Sequence, residues 1–152
     1  PSRGLGDVYK RQVQKEVAEK LQAPVGSREA GAITVAVNFY GSVELLFPVQ
    51  RDSCLPPPNV DSAVIQIRLN RRYDALLSDR AHFFSMVKNG FSQRRKTLVN
   101  VLSSTMHYEK SMLTQILAEM QLPETVRIEK LTMEQLITLS NHLAKIHPDA
   151  QQ

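Results

Sequence analysis

A single cysteine, Cys54, leaves this chain without an intramolecular disulfide framework or a cysteine-based zinc site, which fits a reducing compartment. No apolar run reaches membrane-spanning length, and no signal-peptide core stands near the N-terminus, so the default expectation is a soluble intracellular protein. The four histidines, His82, His107, His142 and His147, form no i, i+4 pair and no metal-ligand spacing with a carboxylate, and they read as solvated or helix-end groups. Also missing are a Walker-type loop, a complete G-x-G-x-x-G turn, paired carboxylates on one helix face and a base beside Cys54. Internal repeats and low-complexity segments are absent too. The chain carries no self-evident catalytic machinery and no metal site.

The composition that remains is that of an ordinary globular protein. The sequence has 152 residues and is 42% hydrophobic, with a mean hydropathy of -0.26, enough for one core or two small ones. Its 19 Lys and Arg against 15 Asp and Glu give a net charge of +4, a mild bias toward polyanions. The most informative charges are adjacent: Arg94, Arg95 and Lys96 in the run Phe91-Ser92-Gln93-Arg94-Arg95-Lys96-Thr97-Leu98. Phe83, Val87 and Phe91 follow helical spacing, and Leu98, Val101 and Leu102 resume it, with Gly90 as a helix stop and Ser92 as an N-cap between them. Cations at a helix start oppose the macrodipole, yet together with exposed N–H groups they suit a phosphate. The alternative is a solvated charge run on a surface helix.

Along the chain, Val13, Val17 and Leu21 predict an amphipathic helix ending before Pro24 and Gly26. Residues 32–40 are ambiguous, because Ile33, Thr34, Val35 and Val37 favour a strand while near-continuous apolarity also suits a buried helix. Ser42 to Val49 reads as a buried strand, and Ser62 to Leu69 alternates as a strand should. Between them Cys54-Leu55-Pro56-Pro57-Pro58-Asn59 forms a stiff loop that cannot join a ladder, suited to a ligand wall or simply to a rigid connector. After Arg71-Arg72-Tyr73-Asp74 only helices are expected, at about 79–89, 92–103, 110–120 and 132–146. Thr132 with Gln135 makes a capping box for the last. The stripe of Met112, Leu113, Ile116, Leu117 and Met120 reads as core.

Four segments, in this order, resemble the ribosomal RNA adenine N6-dimethyltransferase family of the bacterial KsgA type. They are Val13 to Leu21, Ile33 to Val37, the loop Pro56 to Val64, and Phe91 to Leu98; the similarity runs from about Val13 to Leu143. The resemblance implies the family's C-terminal half: an α/β fragment comprising the last helices and strands of a Rossmann-like methyltransferase sheet, followed by a small all-α C-terminal domain. Residues 13–72 would then belong to the S-adenosylmethionine-dependent methyltransferase domain and residues 73–152 to a helical RNA-contacting domain. Residues 1–12 match no family pattern and read as an artefact or a linker.

On this resemblance residues 32–40 are a helix, and Cys54, Leu55, Pro56, Pro57, Pro58 and Asn59 border the pocket for a flipped target adenine. Cys54 stands where the family usually has an aromatic, and a thiol cannot stack on the base. Arg94, Arg95 and Lys96 are assigned to rRNA contact or to positioning the helical domain. The glycine-rich cofactor turn and the Asn-Leu-Pro-Tyr catalytic motif do not occur in the sequence. The resemblance therefore implies part of a cytoplasmic, monomeric 16S rRNA dimethyltransferase that acts on the immature small ribosomal subunit and is inactive alone, with no catalytic residue in this chain. A noncatalytic RNA-binding or ribosome-assembly module is the alternative. Sheet strands without the rest of their sheet would expose an edge and an apolar face, so aggregation, or folding only after about Tyr73, is expected.

Overall fold

Pro24 and Gly26 end the first helix as expected, but its start lies later than the apolar spacing suggests. In the computed structural model, which describes residues 8–50, 52 and 61–146, Val8–Gln14 is a strand (β1) and the helix is Lys15–Gln22 (α1). Val13 therefore belongs to β1, where it lies opposite Ala63. Ala32–Tyr40 is a helix (α2), which resolves its mixed signal. Thr34 is the reason its polar residue can be buried: its Oγ1 accepts from Gly31 N at 2.9 Å and donates to Lys20 O at 2.7 Å, satisfying a helix-end donor and tying α2 to α1.

Gly41–Val49 (β2) and Ser62–Leu69 (β3) complete an antiparallel three-stranded sheet of order β1-β3-β2. The alternation in β3 sends Ala63 and Ile65 onto Ala18 and Leu21 of α1, a small core supported by Val13, Val17, Val37, Val43 and Ile67. β2 is not the buried strand its apolarity suggests. It lies at the sheet edge, where Leu45, Leu46 and Phe47 are exposed, and a register shift between Leu45 and Phe47 marks a bulge. Apolar content alone does not reveal whether a strand has neighbours on both sides.

Among the described residues four α-helices follow: Arg80–Phe91 (α3), Leu98–Met106 (α4), Lys110–Glu119 (α5) and Met133–Ile146 (α6). Thr132 and Gln135 form the predicted capping box, with Thr132 N donating to Gln135 Oε1 at 2.9 Å and Gln135 N to Thr132 Oγ1 at 3.2 Å. The stripe of α5 packs as predicted, and Leu136, Leu139 and Leu143 line the buried face of α6 while Ile146 at its end is exposed. Their core extends beyond the bundle. Val35 and Phe39 of α2 enter it, and the Phe39 ring meets Tyr40, Tyr73, Phe83 and Phe84. α2 thus faces α1 through Thr34 and Asn38 and the bundle through Val35 and Phe39.

The break between α3 and α4 differs from expectation in its chemistry. Gly90 is not a stop but lies inside α3, where a Cβ would come within 2.2 Å of Ile128 Cδ1; the missing side chain is what lets Ile128 pack there. Ser92 is the C-cap of α3, and Thr97 is the N-cap of α4, accepting from Asn100 N at 3.2 Å.

Candidate nucleic-acid interface

Because α4 begins at Leu98, the three cations lie in the turn that precedes the helix rather than in its first turn. They do not act alike. Arg95 and Lys96 are exposed, with their charges in solvent. Arg94 is turned back onto the protein: its Nη2 donates to Arg28 O and Ala30 O, both at 2.8 Å, and stands 3.5 Å from the Glu129 carboxylate. Sequence proximity brought the three together, and the fold separates one from the other two. Adjacent residues in a turn point in different directions, so a charge run does not translate into a charge cluster.

The second predicted group, Cys54, Leu55, Pro56, Pro57, Pro58 and Asn59, lies outside the described residues. The strands that flank it, β2 and β3, are paired as far as Val49 opposite Ser62.

A further basic group, Arg71, Arg72 and Arg80, lies between the end of β3 and the first residue of α3. Two of these are already engaged by an acid: Arg80 and Arg71 both pair with Asp74. Arg72 lies over the Tyr73 ring at 4.7 Å and donates to its hydroxyl. This group was not singled out from the sequence, although the adjacent arginines were a signal for it.

His82 corrects the reading of the histidines as solvated or helix-end groups. It is fully buried, with Nδ1 2.8 Å from Ser140 Oγ and Nε2 2.6 Å from Tyr108 Oη. Burial lowers its pKa below the usual imidazole value, opposed by the nearby Asp79 carboxylate. The triad of hydroxyl, imidazole and phenol has no access to solvent, so it is a satisfied polar core rather than a nucleophile and base. His107 ends α4 in the left-handed conformation, with φ of 65°.

A cleft of about 660 Å³ between the start of α3 and the end of α6 is lined in part by Asp79, Asn141, His142 and Lys145. Its central amide is spent on helix docking: Asn141 Oδ1 accepts from Ser78 N and Oγ, and Nδ2 donates to Leu76 O. Among the described residues no group of three or more His, Cys, Asp or Glu side chains is placed to hold a metal ion, and no helix is long and apolar enough to cross a membrane.

The described residues also do not fit an S-adenosylmethionine site. Of their strands only β1 runs straight into a helix, and it does so without a glycine, while the N–H of Lys15 at that junction donates to Asp61 O at 2.9 Å. A cofactor cradle needs outward-facing N–H groups on a glycine-rich turn there. No chemical step can be assigned to these side chains.

The backbone arrangement is shared with solved structures. A dimethyladenosine transferase from Plasmodium falciparum superposes with a TM-score of 0.72 at 21% identity, covering 94% of this chain and 59% of that one. The 23S rRNA methyltransferase ErmE gives 0.58, also at 21% identity, over 90% and 54%. In sequence, the ribosomal RNA small subunit methyltransferase A of Alkaliphilus oremlandii is 39% identical over 134 residues, 88% of this chain and 47% of that protein. Its counterpart from Bacillus mycoides is 38% identical over 86% and 46%. The chain spans about half the length of the curated relatives it matches. The family model described as ribosomal RNA adenine dimethylase matches residues 12–145, and the chain belongs to that family.

Proposed function

We propose that this chain is the RNA-gripping portion of an S-adenosylmethionine-dependent 16S rRNA adenine N6,N6-dimethyltransferase, acting on the immature small ribosomal subunit in the cytoplasm as a monomer. Residues 13–72 contribute the end of the methyltransferase sheet, and the helical unit from about residue 73 contacts the RNA. Cys54 to Asn59 border the target base. The cofactor and the Asn-Leu-Pro-Tyr groups belong to sequence outside these 152 residues, so the chain alone transfers no methyl group. The observation that carries the reading is the exposed pair Arg95 and Lys96 on the turn before α4, in a chain whose relatives are named as rRNA methyltransferases. Two solvent-facing cations beside a capped helix suit phosphate contact without base reading.

The test is binding of the purified chain to a small-subunit rRNA fragment containing two adjacent adenines, titrated against salt. Each phosphate contact adds about 0.7 to the log–log slope on single-stranded RNA, so Arg95→Gln with Lys96→Gln is expected to lower it by about 1.4. An unchanged slope refutes the assignment of these two residues. Fusing the chain to the N-terminal half of the Alkaliphilus relative is expected to restore methyl transfer. A fusion that folds and binds RNA yet transfers nothing favours a noncatalytic assembly module.

A further inference from the structure

Arg94 carries the inference. Both carbonyls it grips, Arg28 O and Ala30 O, belong to the loop joining α1 to α2, on the sheet-bearing side of the molecule. Its own turn, the Phe91 ring 5.7 Å from its guanidinium, and the largely buried Glu129 belong to the bundle. The same loop touches the bundle at a second point. Gly26 has φ of +102°, and a Cβ there would stand 3.5 Å from Leu131 O. Beside these contacts the seam is not filled: a cleft of about 320 Å³ is lined by Val25, Asn38, Tyr73, Thr132, Met133 and Glu134. Packing through Val35 and Phe39 holds one stretch of the seam, and the Arg94 fork holds another.

We infer that Arg94 is a positioning residue, a latch that fixes the angle between the sheet-bearing part and the helical bundle. Its neighbours Arg95 and Lys96 are thereby held in a set place relative to β2 and β3; that consequence rests on the function proposed above. A planar guanidinium suits this task, because one nitrogen supplies two hydrogens to two carbonyls while the delocalised charge stays beside a carboxylate. A lysine keeps the charge but cannot reproduce the fork.

The latch is tested with nitroxide labels at Glu16→Cys on α1 and Ser111→Cys on α5, both exposed, in a Cys54→Ser background. Arg94→Gln is expected to widen the distance distribution between the labels and Arg94→Lys to widen it less. Arg95→Gln is expected to leave it unchanged. RNA binding should respond in the opposite sense: Arg95→Gln lowers the salt slope by about 0.7, and Arg94→Gln leaves it at the parent value. An unchanged distribution in both Arg94 variants overturns the positioning role. A slope loss in Arg94→Gln equal to that of Arg95→Gln makes Arg94 a phosphate ligand instead. If Arg94→Gln does not fold, Arg94→Lys decides through the distances alone. Failure of the parent chain to bind RNA refutes the proposed function while the distances still decide the latch.

Discussion

The two cores of this molecule are built on different terms. Among the described residues the bundle core gathers twenty-one buried residues and the sheet core four, so the helical side encloses its side chains on all faces while the sheet side leaves β1 and β2 largely in solvent. The difference teaches where independence lies. Even the larger core is not confined to the helices after Tyr73, because it takes Val35 and Phe39 from α2. The sheet side in turn depends on α2 through the hydrogen bonds of Thr34 and Asn38 to α1.

The comparison breaks most visibly at Phe39. Its replacement by alanine removes a ring packed against four aromatic neighbours and should cost about 3–5 kcal/mol in urea unfolding. A loss no larger than that of a surface substitution would mean that α2 is dispensable to the bundle. Next in size is a matched pair. Leu136→Ala, in the enclosed core, is expected to cost about 2–5 kcal/mol, and Ile65→Ala to fall at the low end of that range, since its small cluster can close over the gap. Equal losses would erase the distinction between the cores.

Thr97→Ala should cost about 1 kcal/mol by removing the acceptor for Asn100 N, whereas Ser92→Ala should cost less, which separates the true cap from the apparent one. The smallest effect near neutrality belongs to His82. Its folded pKa is lowered, so the fold needs the neutral ring. Above an unfolded pKa of about 6.5 the residue contributes no pH dependence. As pH falls below that value the unfolded chain takes up the proton first, and stability declines until the folded pKa is passed. Thermal melts from neutral to acid pH should show a shallower decline in His82→Gln; an identical decline would assign the loss to other groups.

Much of this architecture was legible in the sequence, and the failures share a cause. β3, α5 and α6 declare themselves through local periodicity and, for α6, a cap three residues long in span. β1 was hidden because Val13 sits four residues before Val17 and so extends the helical pattern of α1 backward. Gly90 and Ser92 mimic a helix end, while the deciding fact, Ile128 filling the space over Gly90, lies far along the chain. Thr97 immediately before the apolar run from Leu98 was the available signal for the real start. His82 finds its partners 26 and 58 residues away, and Arg94 finds its carbonyls 64 and 66 residues away, separations no spacing rule reaches. The residues of the expected base pocket lie outside the described part, and of the three expected cations Arg95 and Lys96 are exposed while Arg94 is folded back onto the protein.

The bulge in β2 has a bearing on solubility. An edge strand carrying exposed Leu45, Leu46 and Phe47 is the kind of surface on which a second molecule can add its own strand. The register shift between Leu45 and Phe47 interrupts the ladder there, and Pro48 has no N–H to extend it. At the opposite edge β1 carries the exposed charges Lys10 and Arg11. Among the described residues neither border of the sheet offers a long, regular, uncharged template: backbone irregularity interrupts one side and charge marks the other.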